Sequence, residues 1–580
     1  MDIIKKLWIL LDKKQKIKMI GLVFLMLIGA VLETCSIGFL IPVLTAIMDI
    51  DSLMKVEVVK KVYDALGMQS TQQFIITLLV VLIFLFVLKN VFLQIQSVIQ
   101  YRFVFGNQFR TANQMMISYL KRPYEFYLNA DTPKVQRNIT SDVINMYALT
   151  LCLLQMLSEI IVFIFLVTAT LILQPTLTLF LMVVMLVSLV LIKTLLKPIM
   201  NRSGKDNREN YAGLLKWIQQ VVTGIKEIKI ANREEFFAGE YMDCNGRYIN
   251  ALRRYSIYKN VPRLFIESVC IASVLIYMIV MIANGNDMQN MVPLLGALSM
   301  AVVRLLPSAN RISNYLTEIA YYKPFLMGIS DKLREEIADA DKVLESLKRA
   351  PKKLDIKEKV ELKGITYAYP NTDVLIFDKA DLEIPIGAAV GIVGSSGSGK
   401  STVVDILLGL LQLKEGQILA DGVDVLCKEH YGQWLNNVGY IPQQIFMLDD
   451  SIRKNVAFGI PEDEIDEERL WAVLKEAQLD EFVKGLPEGL ETGIGERGVR
   501  LSGGQRQRIG IARALYDDPE ILILDEATSA LDNDTEAAIM ESINRLHGKK
   551  TLVIIAHRLN TIENCEVIFR VENGKATRER

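Results

Sequence analysis

The segment GSSGSGKS (residues 394–401) decides the fold of the second half of this 580-residue chain. It follows an apolar, strand-like run, AAVGIV (388–393), and precedes the helical pattern TVVDILLGLL (402–411). A strand, a glycine-rich loop and a helix in this order form a phosphate-binding loop, in which backbone N–H groups and the helix N-terminus face phosphate oxygens. The motif predicts that Lys400 reaches the β- and γ-phosphates and that Ser401 binds Mg²⁺ through its hydroxyl.

A second motif, ILILDE (521–526), predicts a buried strand that ends in two acids. Asp525 suits outer-sphere coordination of Mg²⁺, and Glu526 is placed to polarise an attacking water. An apolar strand ending in Asp-Glu is common by itself, but here LSGGQ (501–505) lies between it and the loop. Short β-branched runs alternate with helical segments around these motifs, which predicts an α/β domain.

The first half of the chain is different, because its apolar residues occur in long runs. The whole sequence is 51% apolar with a mean hydropathy of +0.28, and a membrane-spanning helix needs about 20 such residues. Six runs qualify: 19–48, 74–96, 147–173, 176–195, 261–283 and 291–315. The sequence therefore predicts an α-helical six-span membrane domain (1–340), a charged linker (341–355) and a fused cytoplasmic α/β P-loop domain (356–580).

Loop charge predicts the orientation of the spans. Six Lys and Arg residues lie in 102–137 and thirteen in 193–259, whereas the connections between spans three and four and between five and six are short. By the positive-inside rule, both termini and the second half face the cytoplasm at the cell membrane. The long loops continue the spanning helices, and the first residues form an amphipathic helix on the membrane surface. The stretch 51–67 is either an external surface helix or an ordinary connecting helix.

Charge and cysteine usage exclude several classes of function. The formal net charge is −1, so nothing indicates a nucleic-acid-binding protein. Six cysteines without CxxC spacing and only three histidines do not favour structural zinc, iron–sulfur ligation or a disulfide framework.

The motifs GSSGSGKS, LSGGQ, ILILDE, SALD (529–532) and IIAHR (554–558) together resemble the ATP-binding cassette of ABC transporters. The whole chain resembles a half-transporter of the six-span exporter type. The resemblance implies ATP and Mg²⁺ as cofactors and ATP hydrolysis coupled to transport. It further implies that Tyr369 stacks on adenine, that Gln443 senses Mg²⁺ and the lytic water, that His557 contacts the γ-phosphate, and that Asp532 bridges two cassettes.

The resemblance thus supplies a set of site residues. The nucleotide-binding set is Tyr369, Gly394, Ser395, Gly397, Ser398, Gly399, Lys400, Ser401, Thr402, Gln443, Ser502, Gly504, Gln505 and Asp532. The catalytic set is Glu526, Gln443 and His557, and the metal set is Ser401, Gln443 and Asp525. One chain holds one phosphate loop and one LSGGQ, which in this family covers the nucleotide of the other cassette. The resemblance therefore implies a second half-transporter, in a homodimer or a heterodimer, with 124–133, 224–237 and 491–498 as contacts between cassette and membrane helices.

The charged residues within the predicted spans allow two interpretations. Glu33, Glu159 and Arg304 lie near the middle of their spans, where an ionised group is costly. They either pair internally, for example Glu159 with Arg304, or face a substrate.

Closer resemblance suggests the substrate. The segments ETCSIGFLIPVL (33–44), NVPRLFIE (260–267) and RLLPSANRI (304–312) resemble the lipid-linked oligosaccharide flippases of bacterial protein N-glycosylation. That resemblance implies a polyisoprenyl-pyrophosphate-linked oligosaccharide, with Arg263, Arg304 and Arg311 receiving the pyrophosphate. The alternatives are an exporter of peptides, drugs or ordinary lipids, and a channel or receptor regulator that does not pump. The second alternative predicts regulatory insertions or degenerate ATP motifs, and neither is visible in the sequence.

Overall fold

The computed structural model describes residues 2–39, 63, 70–173, 175–283, 288–337, 352–525, 540–541, 543–555 and 562–580. The chain divides into two compact units. The first comprises Met1–Lys121 and Ala130–Ser346, and the second comprises Leu347–Arg580 together with the short segment Arg122–Asn129. A short piece of the N-terminal half therefore belongs to the C-terminal unit. The predicted linker, residues 341–355, lies largely outside the described residues.

The first unit is built from helices. In chain order they are α1 (Asp2–Leu10), α2 (Lys13–Gly38), α3 (Thr71–Leu120), α5 (Thr132–Arg137), α6 (Val143–Leu173), α7 (Pro175–Thr223), α8 (Ile225–Ala231), α9 (Glu234–Ala283) and α10 (Met288–Ile337), while α4 (Tyr124–Leu128) belongs to the second unit. A π-helical turn, Asn138–Asp142, joins α5 to α6.

Local sequence explains where these helices begin and end. Helix α7 begins at Pro175, whose fixed φ and missing N–H suit the first helical position. Gly224 interrupts the helix before α8, and Asn232 then ends α8 in the left-handed conformation, with a φ of 50°. The cytoplasmic loop after the fourth predicted span, which the sequence predicts as a continuation of that helix, is therefore divided between α7 and α8. Helix α1 lies where an amphipathic N-terminal helix is predicted.

Five helical segments of the described residues are long and apolar enough to cross a membrane: Lys13–Ser36, Gln72–Leu120, Thr132–Thr168, Thr178–Thr223 and Glu234–Val280. Helix α3 has 50 residues, or about 75 Å, which exceeds the roughly 30 Å bilayer core and requires an extension beyond it. The sixth predicted span, residues 291–315, lies in α10, whose side chains are described only from residue 305. Apart from Tyr63, the stretch 51–67 is outside the described residues.

The second unit contains two sheets. A four-stranded antiparallel sheet has the order β2-β1-β4-β5, and a six-stranded sheet has the order β10-β9-β3-β8-β7-β6. The strands are β1 (Lys359–Tyr367), β2 (Phe377–Pro385), β3 (Ala389–Val393), β4 (Glu415–Ala420), β5 (Val423–Asp424), β6 (Val438–Ile441), β7 (Ile521–Asp525), β8 (Thr551–Ile555), β9 (Val567–Glu572) and β10 (Lys575–Arg578). In the larger sheet all neighbours are parallel except β10, which runs antiparallel to β9.

Helices cover this larger sheet. They are α11 (Lys400–Leu407), α12 (Tyr431–Asn437), α13 (Ile452–Val456), α14 (Glu467–Glu476), α15 (Asp480–Lys484) and α16 (Gly503–Tyr516), and three 3₁₀ turns lie at Glu462–Glu464, Gly489–Glu491 and Glu496–Gly498. Side chains of β7 belong to both hydrophobic cores, one on each face of the sheet. Leu522 and Leu524 pack with α14 and α16, whereas Ile521 and Ile523 pack with α11 and the smaller sheet. Burial on both faces explains why ILIL is continuously apolar. The predicted fold class, a helical membrane domain fused to an α/β P-loop domain, is confirmed.

Candidate nucleotide-binding site

The candidate site lies at the carboxyl edge of the parallel strands. In the register of the sheet, Ile392 of β3 and Asp525 of β7 both pair with Ile555 of β8. Ile441, the last residue of β6, pairs with Leu524. The segments that follow these strands therefore leave the sheet at one edge, which is where α/β folds of this kind bind ligands.

The loop after β3 is shaped to enclose an anion. Gly399 caps α11 with a φ of 103°, in the left-handed region that L side chains rarely adopt. A Cβ at Gly394 would lie 2.4 Å from the carbonyl oxygen of Val571 and 2.5 Å from the hydroxyl of Ser398, so no side chain fits there. The backbone of the loop thus packs closely against β9. The hydroxyl of Ser398 is buried and has no hydrogen-bond partner among the described residues.

Lys400 closes this loop. Its side chain is only 5% exposed, and Nζ donates to the carbonyl oxygens of Gly394 (3.1 Å) and Ser395 (3.0 Å). The ammonium group is paired with neutral carbonyls, and no described carboxylate neutralises it. Phosphate oxygens accept stronger, charge-assisted bonds from such a group. The arrangement fits the predicted role of Lys400 in holding the terminal phosphates.

Tyr369 lies against the same helix. Its hydroxyl is 3.0 Å from Oγ1 of Thr402, and its ring meets Tyr367 edge-on with the centroids 5.3 Å apart. The ring of Tyr369 is half-buried, and Ser401 beside Thr402 is exposed. The structure thus brings Tyr369, Ser401 and Thr402 together at the start of α11.

The side chains at this edge include oxygen donors of the kind that Mg²⁺ prefers. Asp525 ends β7 and is 8% exposed, and Gln443 follows β6 on the neighbouring strand. Burial, and then the charge of Asp525, raise the pKa of Asp405 from 3.8 to about 6. Within the described residues no group of three His, Cys, Asp or Glu side chains could hold a metal alone. Mg²⁺ needs few such ligands, because it takes water and phosphate oxygens as well.

Three predicted residues lie outside the described part of the chain: Glu526, Asp532 and His557. Glu526 directly follows Asp525, and His557 comes two residues after the end of β8 at Ile555. The structure describes the ends of the adjacent strands β7 and β8. The roles of Glu526, Asp532 and His557 stay predictions.

The LSGGQ segment forms the start of α16. Ser502 caps this helix, because its hydroxyl accepts from the N–H of Gln505 (3.2 Å) and its own N–H donates to Oε1 of Gln505 (2.8 Å). This reciprocal capping box satisfies two backbone donors and fixes the first turn. Ser502 is exposed and Gly504 is buried. The helix N-terminus is therefore accessible and preformed for an anion.

Sequence reasoning missed Arg513, which connects α16 to the segment after Gln443. Its guanidinium donates to the carbonyl oxygens of Asn455 (2.7 Å) and Phe446 (2.7 Å) and to Oδ1 of Asn455 (3.1 Å). Burial lowers the pKa of Arg513 to about 10, which leaves it charged at neutral pH. The sequence around Arg513 does not indicate these contacts, because Asn455 and Phe446 are 58 and 67 residues away in the chain.

Helix α4, which lies in the predicted contact segment 124–133, is part of the cassette unit. Glu125 Oε1 accepts from the backbone N–H of Gln412 (2.9 Å) and from the hydroxyl of Tyr367 (3.4 Å). Tyr367 is fully buried, and Gln412 follows the end of α11 by five residues. The segment is anchored by a carboxylate, a role that sequence reasoning did not assign to Glu125.

The second predicted contact segment, 224–237, includes α8 in the helical unit. Its apolar side chains Ile225 and Ile230 are 46% and 76% exposed. Arg453 forms an ion pair with Glu491 and a second one with Glu467 at 3.2 Å, which holds the start of the 491–498 segment.

The candidate substrate arginines are in different situations. Arg311 Nε is 2.7 Å from Oε1 of Glu159, and Arg311 Nη2 is 3.5 Å from the hydroxyl of Ser308. The sequence leaves two interpretations of these charges open, internal pairing (for example Glu159 with Arg304) or a substrate contact; among the described side chains, Glu159 pairs with Arg311. The side chain of Arg304 is outside the described residues, and Arg263 is exposed.

Comparison with known proteins agrees with these motifs. The family model described as ABC transporter matches residues 377–529, and the model described as ABC transporter transmembrane region matches 39–299. The solved structure of a bacterial Atm1-family ABC exporter with ATP bound matches with a TM-score of 0.72 at 21% identity, over 97% of this chain and 95% of that chain. That similarity shows the fold.

Curated relatives cover various parts of the chain. It is 36% identical over 366 residues to the ATP-dependent lipid A-core flippase of Saccharophagus degradans, which is 61% of this chain and 58% of that protein. It is 43% identical to the ATP-dependent lipid A-core flippase of Pseudoalteromonas translucida over 38% of each chain. The uncharacterized ABC transporter ATP-binding protein YfiC of Bacillus subtilis is 27% identical over 94% of this chain and 88% of that protein. The chain thus spans less than two thirds of the lipid A-core flippases that it matches, but the membrane and cassette models together identify it as a member of the ABC transporter family.

Proposed function

We propose that this protein is an ATP-driven flippase that moves a lipid-linked glycan across the cell membrane. The observation that carries the ATP-dependent part is the Lys400 ammonium group, which is buried against the carbonyl oxygens of Gly394 and Ser395. Bound ATP offers phosphate oxygens that replace these neutral acceptors. Tyr369 then contributes an aromatic face for the adenine ring, beside Thr402.

The hydrolytic step uses the carboxyl edge of the sheet. Ser401, Gln443 and Asp525 would hold Mg²⁺, which neutralises charge on the phosphates when it is bound. Glu526 accepts a proton from the attacking water, and His557 contacts the γ-phosphate. Removing that phosphate removes the ligand that favours the closed state, so hydrolysis shifts the conformational equilibrium.

The active form is a dimer of half-transporters, most simply a homodimer. One chain contributes the phosphate loop to one site and the capped N-terminus of α16, with Ser502, Gly504 and Gln505, to the other. Asp532 lies where the two cassettes meet. The exposed Ile225 and Ile230 of α8 supply apolar surface for a contact with the partner's cassette.

The cassettes lie in the cytoplasm in this proposal. Lys and Arg residues in 102–137 and 193–259 support that orientation, because cytoplasmic loops are enriched in these residues.

The substrate is a polyisoprenyl-pyrophosphate-linked oligosaccharide. The observation that supports this assignment is the ion pair of Arg311 with Glu159, because it keeps a half-exposed guanidinium within the membrane helices. A guanidinium forms bidentate bonds with phosphate oxygens, so a pyrophosphate competes with the Glu159 carboxylate for Arg311. Arg304 precedes Arg311 by two helical turns and extends the positive charge along α10. Arg263 contributes from α9.

A second candidate substrate is a glycolipid of the lipid A-core type, which the names of the relatives in Saccharophagus degradans and Pseudoalteromonas translucida favour. Both candidates are anionic glycolipids, and they differ in the headgroup and the tail. Uncharged lipids and cationic drugs have no anionic group for these arginines to bind.

Proteoliposomes containing the purified full-length protein test the proposal. ATPase activity and transbilayer movement are measured with a polyisoprenyl-pyrophosphate glycan, lipid A-core, a peptide panel and a drug panel. We expect the polyisoprenyl-pyrophosphate glycan to stimulate ATPase and to be moved, and the same glycan on a neutral polyisoprenol to do neither. Stimulation and movement only with lipid A-core would replace the substrate assignment. Movement of peptides or drugs alone would overturn the glycolipid proposal.

A further inference from the structure

A groove between α2 and α3 has no role in the function proposed above. It has a volume of about 750 Å³ and is lined on both sides by residues of these two helices. We call it the α2–α3 groove; the residues used below are Lys14, Lys18, Leu22, Leu25, Ile99 and Arg102.

Contacts between the two helices lie on either side of this groove. At one end, Gln15 Nε2 donates to Oδ1 of Asn107 (2.6 Å), and Arg110 forms an ion pair with Asp12. At the other end, the backbone of Gly29 lies so close to Gln96 that an added Cβ would be 2.4 Å from its Oε1. The distance from residue 15 to residue 29 is 14 residues, or about 21 Å along a helix.

Two glycines hold the groove open. Gly21 on α2 and Gly106 on α3 both line it, and a Cβ added at either position would meet no atom within 4 Å. A larger side chain at either position would therefore enter the groove rather than clash with the neighbouring helix.

The charges of the groove are all of one sign. Lys14, Lys18, Arg102 and Arg110 line it, and none of its lining residues is acidic. Arg110 is paired with Asp12, whereas Lys14, Lys18 and Arg102 have no carboxylate partner within the described part of the chain. These three basic side chains can therefore bind more than one oxygen atom of an anion.

The groove also has a polar and an apolar end. Along α2, the two lysines are followed by Leu22 and Leu25, and on α3, which runs in the opposite direction, Arg102 is followed towards the same end by Ile99. This order matches an amphiphile with an anionic headgroup and a hydrocarbon tail. The cationic end is cytoplasmic in the orientation proposed above, and anionic lipids attract basic residues at that surface.

We propose that the α2–α3 groove binds an anionic phospholipid of the cytoplasmic leaflet. Lys18 and Arg102 bind its phosphate, Lys14 adds charge at the entrance, and one acyl chain lies on Leu25 and Ile99, above the buried Leu22. The lipid fills the space between these flanking contacts of the two helices. The proposal shares the membrane orientation of the proposed function but does not depend on which substrate is moved.

Native mass spectrometry of the purified full-length protein tests the proposal, with phosphatidylglycerol and phosphatidylcholine added in titration. Two variants address different properties of the groove: Lys18→Gln/Arg102→Gln removes two charges, and Gly106→Leu fills the space. The matched controls are Lys5→Gln/Lys13→Gln, which removes two exposed charges from the same region, and Gly239→Leu, which adds a side chain in open space on α9.

We expect one phosphatidylglycerol per chain to bind to the unchanged protein and to both controls in preference to phosphatidylcholine. Loss of two basic contacts should weaken this binding about thirtyfold, and Gly106→Leu should abolish it. Unchanged phosphatidylglycerol binding by both folded groove variants would overturn the proposal. Displacement of the bound phosphatidylglycerol by the transported glycolipid in the unchanged protein would also overturn it, since the groove would then belong to the substrate path. A protein that binds phosphatidylglycerol here but moves no glycolipid would contradict only the proposed function.

Discussion

The Glu125 carboxylate accepts a hydrogen bond from the backbone N–H of Gln412, with 2.9 Å between oxygen and nitrogen. Gln412 lies five residues beyond α11, and α11 begins at Lys400 in the phosphate loop. The helix has 8 residues and is about 12 Å long. One short, buried helix thus separates the phosphate site from the residue that holds α4. If nucleotide binding displaces the loop, α11 is the element that leads from the loop towards the contact of Gln412 with α4.

The first prediction follows from this contact. Glu125→Ala removes an ionised acceptor from the N–H of Gln412 and the hydroxyl of Tyr367, a loss of about 1.5–3 kcal/mol. We expect the nucleotide site to stay intact, so ATPase activity persists while glycolipid movement per ATP hydrolysed falls about tenfold or more. Both rates are measured in the same proteoliposomes.

Two variants sharpen that experiment. Glu125→Gln keeps an acceptor oxygen and should retain an intermediate coupling ratio, and Glu468→Ala removes an exposed carboxylate of α14 as a control. Equal loss of ATPase and movement in Glu125→Ala would mean that the contact supports the folding of the site and not coupling.

The second prediction concerns the lytic water. If Glu526 accepts its proton, Glu526→Gln keeps the shape of the side chain but not the basicity, and ATP turnover should fall by about 10²–10⁴-fold. ATP binding should be retained, and closed dimers should accumulate. Steady-state hydrolysis and nucleotide retention measure the two effects. Normal turnover would remove Glu526 from this role.

The third prediction tests the shared sites. A dimer that pairs a Lys400→Ala subunit with a Ser502→Arg subunit places both defects in one site and leaves the other site intact. Such a dimer should trap one nucleotide under occluding conditions, whereas each homodimeric variant should trap none. If the mixed dimer traps none, either the sites are not shared or one intact site cannot close alone. Photolabelling of the intact site without closure would separate these two explanations.

Much of the cassette site could be predicted from sequence because its chemistry is local. The glycines of residues 394–401 supply the backbone conformations that the loop needs, such as the positive φ of Gly399. LSGGQ likewise contains both members of its capping box, Ser502 and Gln505. Glu125 could be placed only in a contact segment, since its partner Gln412 is 287 residues away and contributes a backbone N–H. Because every residue except proline has a backbone N–H, the residue type at position 412 does not indicate this hydrogen bond.

The membrane charges show the same limit. Arg304 and Arg311 are seven residues apart and lie on the same face of a helix, so either could oppose Glu159 by sequence pattern alone. The register between α6 and α10 decides the partner, and that register depends on the packing of many side chains. The structure places Arg311 beside Glu159.

The fourth prediction is a pH dependence of stability. Burial, followed by the charge of Asp525, raises the pKa of Asp405 to about 6 in the folded protein, above its ordinary value of 3.8. Between these values the folded state binds more protons than the unfolded state, so stability falls as pH rises from about 4 to 6. Asp405→Asn removes this cost and should raise the stability of the nucleotide-free cassette by about 1–2 kcal/mol at about pH 7.5, with little change near pH 4.

Thermal unfolding of the full-length protein at several pH values measures this difference. The exposed Asp373→Asn is the control, because it removes one carboxylate from the same unit without changing the buried group. A stabilisation by Asp405→Asn that is equal at both ends of the pH range would assign the effect to packing and not to ionisation.

The last prediction concerns the exchange of partners at Arg311. If pyrophosphate competes with Glu159 for the guanidinium, Glu159→Gln should release Arg311 and lower the half-saturating glycolipid concentration for ATPase stimulation about fivefold to tenfold. Arg311→Ala and Arg304→Ala should abolish stimulation while basal hydrolysis continues. Arg311→Lys should restore part of it, because the charge remains but the planar, two-pronged donor is lost.

A purely structural ion pair gives the opposite pattern for the glutamate. Breaking it by Glu159→Gln or by Arg311→Ala alone would then lower thermal stability and basal ATPase, since each change leaves one unpaired charge among membrane helices. The double variant Glu159→Gln/Arg311→Gln would restore both and would keep glycolipid movement. In our proposal the double variant is equally stable, because neither an unpaired carboxylate nor an unpaired guanidinium remains. It moves no glycolipid, because the guanidinium that binds the pyrophosphate is absent. Glycolipid movement by a stable double variant would therefore remove Arg311 from the substrate site.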